Sequence, residues 1–124
     1  MKVLRKLMFS VTIFSALIAP TVTYALTAGE LKEWGDANDR IQRHVGSLPE
    51  DEMPSLAFLS YVTAVVDHAV SSLLVCFPAT YSGGQLSAVT YNYLRQHPEK
   101  WSDRANLVVL LAFQEAFPCP DSNP

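Results

Sequence analysis

From Thr27 to Phe117 apolar residues recur at intervals of three and four, in four runs separated by Gly- and Pro-containing breaks. The first run opens at Thr27 with Glu30 three positions on, the spacing of a capping box, and Leu31, Trp34, Ala37 or Asn38, Ile41 and Val45 follow at helical intervals. Gly46 and Pro49 supply the stop. Gly35 inside this helix costs about 1 kcal/mol relative to Ala and marks an expected weak point. The second run, from Pro54 to about Val75, predicts an apolar stripe of Leu56, Leu59, Val62, Val66, Val70, Leu73 and Phe77. Ser60, Thr63, Asp67 and Ser71 fall on a separate, narrow polar face. Most of the remaining circumference is Ala, Val and Leu, so this helix is expected to be covered on nearly all sides, as a central helix or at a dimer seam. Asp67 in that setting needs a hydrogen-bond partner, expected on a neighbouring helix.

Ser82-Gly83-Gly84-Gln85 opens the third run with another capping-box spacing, Leu86, Val89, Tyr93 and Leu94 form its buried stripe, and His97-Pro98 ends it. The fourth begins between Pro98 and Ser102 and continues to about Phe117, where Pro118 and Pro120 stop it. No stretch alternates as a strand does, and no internal repeat is present. The expected fold is all-α, a small four-helix bundle-like domain.

Residues 1–25 read differently. Lys2, Arg5 and Lys6 precede an uncharged, mostly apolar run from Leu7 to Ala19, and Thr23-Tyr24-Ala25 places small residues at the positions of a cut after Ala25. These are the three parts of a secretory signal peptide. The rival reading is an uncleaved membrane anchor, but the continuous apolar core is shorter than the ~20 residues that span hydrocarbon. Cleavage removes three basic residues, leaving six against twelve acidic ones, a net charge of −6 for residues 26–124. A chain of 124 residues, 49% hydrophobic, makes one domain rather than a disordered segment. Its acidic balance speaks against nucleic acid as a partner, and after cleavage no membrane segment is expected.

The chain has two cysteines, Cys76 after helix two and Cys119 after helix four. In an up-down-up-down bundle those ends share one side, and export supplies an oxidising compartment, so a disulfide is expected. A catalytic thiol would need a positioned base, and His44, His68 and His97 stand in no motif relation to either cysteine. Asp67 and His68 are adjacent and point apart on a helix, no metal-ligand spacing occurs, and Gly83-Gly84 lacks the Lys and Ser/Thr of a phosphate loop. No catalytic residue, metal or cofactor is expected; the chain does not read as an enzyme. The run Glu50-Asp51-Glu52 has two readings: carboxylates favouring the positive end of the next helix, or a contact with a basic partner.

From Cys76 onward the order of short pieces is informative: Cys76, Pro78, Gln85, Tyr93-Leu94, His97-Pro98-Glu99 and Phe117-Pro118-Cys119, with Tyr61-Val62 and Val65-Val66-Asp67 upstream. The chain in this respect resembles the Rap/Tai family of small exported proteins from Gram-negative bacteria, whose characterised members are immunity proteins against cell-wall amidase effectors of type VI secretion. Many members carry a further cysteine pair, at places corresponding here to the neighbourhood of Gly35 and to Phe58. The resemblance implies an all-helical periplasmic domain, often a homodimer, that covers the amidase's Cys-His active site. Candidate contacts are then Tyr81, Ser82 and Gly83 in the loop Pro78 to Gly84, His97, Glu99 and Trp101 in the connection His97 to Asp103, and Glu50, Asp51 and Glu52. Each aromatic could equally pack locally, and Pro98 and Glu99 could simply start the fourth helix. The alternatives are a small periplasmic acid-stress holdase and an envelope protein of the same fold with a structural role.

Overall fold

The computed structural model describes residues 24–78 and 80–120. They form four α-helices: α1 (Ala28–Arg43), α2 (Glu52–Ser71), α3 (Gly83–Gln96) and α4 (Ala105–Ala116). Short 3-10 turns at Pro49–Asp51 and Pro98–Lys100 lead into α2 and toward α4. Among the described residues extended pairing is limited to one antiparallel bridge, Thr27 with Arg104.

Local chemistry starts α1 where the sequence places it. The Thr27 hydroxyl accepts the Glu30 N–H, and the Glu30 carboxylate accepts the Thr27 N–H at 2.9 Å, so two otherwise orphaned donors are satisfied. The Thr27 N–H, and after it the Tyr24 hydroxyl at 2.8 Å, hold the Glu30 carboxyl below its usual range. At the far end His44 turns left-handed (φ 54°) and the Val45 N–H reaches the Arg40 carbonyl at 3.2 Å, closing the last turn. Gly46, also at positive φ, takes the chain away.

The core lies among all four helices, with Leu31, Phe58, Val62, Leu94, Val108 and Phe113 fully buried. α1 and α2 run antiparallel: Arg40 meets Asp51, Asn38 meets Ser55 at 3.0 Å, and Gly35 faces Phe58. The segment Pro49–Ser71 is apolar and long enough to cross a membrane by length and composition alone. It buries Ser55, Phe58, Val62, Val66 and Ala69 in the bundle.

That face departs from the expected stripe. Val62 and Val66 are buried as expected, whereas Leu56, Val70 and Leu73 are exposed. Small residues, Ser55 and Ala69, take the closest positions, where a Leu would hold the helices apart. Asp67 is exposed on the outer face with Ser60, Thr63 and Ser71, so it has no need of the helix-borne partner expected for it. α2 also starts earlier and ends sooner than its pattern suggests, because Leu73 adopts φ 53° and breaks the helix before Val75. α4 begins only at Ala105; Pro98 and Glu99 start a separate 3-10 turn, not the fourth helix.

Gly35 proves to be a packing requirement rather than a weak point. A Cβ there would lie 2.7 Å from Tyr91 Cδ2 and 3.2 Å from Phe58 Cε2. Gly35 and Phe58 thus face each other, a bare backbone against an aromatic ring.

Cys76 and Cys119 form a disulfide across 43 residues, with Cα atoms 4.8 Å apart. As expected, the ends of α2 and α4 share a side: the Cys76 N–H donates to the Phe117 carbonyl at 3.3 Å, and the Phe77 ring packs on Phe113 and Phe117. At the start of the domain the Ala105 N–H donates to the Leu26 carbonyl, and the Ala28 and Gly29 N–H groups donate to the Asp103 and Trp101 carbonyls, each at 2.9 Å. The expected leader lies outside the described residues except for Tyr24 and Ala25, both exposed.

Candidate partner-binding surfaces

The three candidate segments lie at different places on the bundle. Tyr81, Ser82 and Gly83 stand at the N-terminal end of α3, and His97, Glu99 and Trp101 beyond its C-terminal end. Fourteen residues at 1.5 Å each put about 20 Å between them. Glu50, Asp51 and Glu52 occupy the turn between α1 and α2.

Tyr81 is half-exposed, its ring stacked on Phe77 at 4.8 Å, which continues into Phe113 and Phe117. Ser82 caps α3, its hydroxyl accepting the Gln85 N–H at 3.1 Å. Gly83 and Gly84 leave open space where a side chain would stand. With Gln42, Arg43, Leu59, Thr63 and Asn92 they line a cleft of about 770 Å³. A second groove, of about 690 Å³, runs between α2 and α4 over Tyr61, Val65, Leu74, Leu107 and Leu110.

The other aromatic loop is tied down. Trp101 donates its indole N–H to the Leu94 carbonyl at 2.8 Å, its own carbonyl holds the Gly29 N–H, and the Lys32 ammonium lies 5.4 Å from its ring centroid. The His97 ring stacks on Tyr93 at 4.1 Å, and its Nδ1 is 2.9 Å from Glu99 Oε1. That contact, foremost among its causes, holds the Glu99 carboxyl below its usual range.

Of the acidic run, Glu50 and Glu52 are exposed and Asp51 is not. Asp51 is 3% exposed and accepts from both arms of the Arg40 guanidinium, and from the Leu48 N–H at 2.9 Å. Those donors, Arg40 first, lower its carboxyl to about 2. Asp51 therefore belongs to the framework, and of this trio a partner meets only its neighbours. No signal in the sequence separated it from Glu50 and Glu52, because Arg40 lies eleven positions away.

Beside it four large apolar residues are exposed: Val45, Leu48, Met53 and Leu56. Val45 and Leu56 fit the helical periodicity of a buried face, and only the phase of α2 turns Leu56 outward. Among the described residues no group of three or more His, Cys, Asp or Glu could hold a metal ion.

Residues 30–119 match the family model of the Rap1a immunity proteins. The chain belongs to that family, which carries an immunity role. No curated protein and no solved structure matches the chain.

Proposed function

We propose that the chain is a periplasmic immunity protein that binds a peptidoglycan amidase delivered by type VI secretion and blocks its active-site cleft. The family membership over residues 30–119 carries this reading. The task requires no chemistry of the immunity protein. It requires a scaffold stiff enough to present a fixed surface, so that little ordering entropy is lost on binding. The disulfide, the Thr27–Glu30 box and the Arg40–Asp51 pair supply that stiffness.

Export follows from the leader, with the cut after Ala25. Consistent with this, Leu26 is the first residue packed against the core, and Tyr24 and Ala25 before it are exposed. Two copies pairing in solution is part of the same reading, since α2 and α4 leave apolar side chains uncovered.

The test is co-elution of the chain lacking residues 1–25 with a purified peptidoglycan amidase effector from the same bacterium. A stable complex supports the proposal; elution of the two proteins apart, at micromolar concentrations, overturns it.

A further inference from the structure

The turn between α1 and α2 carries more than charge. Within residues 45–56 four large apolar side chains are exposed: Val45 at 68%, Leu48 at 52%, Met53 at 74% and Leu56 at 58%. Met53 and Leu56 are three apart and share one face of α2. Further along, that outward face turns to Ser60, Thr63 and Asp67, and large apolar exposure returns on it only at Val70. Exposed apolar residues scattered singly need no explanation, but a cluster rimmed by polar groups marks an interaction surface.

This tip is held rigid. Arg40 and the Leu48 N–H grip Asp51 from the α1 side, and the Asp51 N–H bonds the Leu48 carbonyl at 2.9 Å. Pro49 fixes its own φ at the start of the 3-10 turn. The nearby charges then divide cleanly. Arg40 is paired with Asp51 and Arg43 with Asp39, while Glu50 and Glu52 are exposed and join no ion pair among the described residues. The tip thus exposes apolar side chains and two unpaired carboxylates within one short stretch of chain.

We infer that this α1–α2 tip, Val45 to Leu56, is the surface through which the chain engages its effector. Met53 and Leu56 enter an apolar pocket whose rim carries Lys or Arg, facing Glu50 and Glu52. The inference rests on the immunity reading. It gives the apolar pair control of dissociation and the two carboxylates control of association, as buried and rim groups divide those tasks elsewhere. Tyr81, His97 and Trp101 each spend part of their surface on contacts inside the domain.

The experiment measures association and dissociation of the chain lacking residues 1–25 on a purified peptidoglycan amidase effector from the same bacterium. The M53A/L56A pair is expected to raise Kd at least about tenfold through faster dissociation. The E50K/E52K pair is expected to slow association, with the loss shrinking as salt rises. L73S, which removes exposed apolar surface beyond the end of α2 instead, stays within about twofold. All substituted side chains are exposed, and thermal melts verify that each variant folds. Wild-type binding with both tip variants unchanged places the contact elsewhere and overturns the inference while the immunity reading stands. Tip variants that turn a dimer into monomers without weakening effector binding also overturn it, by making the tip a self-association seam. Absence of wild-type binding defeats the immunity reading, and the inference with it.

Discussion

Asp51 and Arg40, eleven residues apart, form a two-armed ion pair that ties the start of α2 to the end of α1. Its carboxyl is lowered to about 2 from a usual value near 3.8. A carboxyl that ionises more readily in the folded chain adds stability above its unfolded pKa, and that stability drains away as pH falls through the folded value. Asp51→Asn is therefore expected to lower Tm at pH 7, and the gap to wild type is expected to narrow between about pH 4 and pH 2. Melting curves across that range check it; a gap independent of pH would show that the pair adds nothing through its charge.

Gly35→Ala tests the close approach of α1 to the aromatic rings. Helix propensity alone favours the substitution by about 1 kcal/mol. The new methyl, however, would stand 2.7 Å from the Tyr91 ring, which is held by its hydroxyl on Asp36 at 2.7 Å, so the ring cannot simply swing away. Overpacking of this kind costs about 1–3 kcal/mol. The expected net result is destabilisation, read as a lower denaturation midpoint; a stabilised variant would mean that α1 and α3 separate easily.

His44 sits in the left-handed region at the end of α1, where a side chain is strained and glycine is not. His44→Gly is expected to raise stability by about 0.5–1 kcal/mol. At the other end Thr27→Ala is expected to lower it by about 1 kcal/mol, because the Glu30 N–H loses its acceptor. Urea unfolding of both variants gives the two signs directly.

The disulfide closes a 43-residue loop. On the chain-entropy account that constraint adds about 4 kcal/mol, a large part of the net stability of a domain this size. Replacing Cys76 and Cys119 together by Ser is expected to lower unfolding free energy by about that amount. It is also expected to loosen the segment carrying Phe77 and Tyr81, seen as faster amide exchange there.

Much of this fold is written in short-range chemistry. The caps at Thr27 and Ser82, the stop at His97-Pro98 and the pairing of two cysteines at neighbouring helix ends are all legible because each depends on few residues. The face of α2 is not. With Ala, Val and Leu on most sides, its periodicity has no sharp phase, and packing chose the small residues Ser55 and Ala69 for the inside. Asp51 was hidden among like charges for a similar reason, since burial selects one of three adjacent carboxylates only once Arg40 arrives from α1. The candidate surface therefore emerged from exposure, not from sequence: a leucine at position 56 signals a core until the helix is turned.

In the proposed function the chain protects by occupying an enzyme rather than by acting on anything. Its most direct test is to follow peptidoglycan cleavage by the amidase effector while the purified chain is added in increasing amounts. Hydrolysis falling to nothing near one binding site per enzyme, with the added chain unaltered, is the predicted result. Undiminished hydrolysis in the presence of excess chain would contradict it.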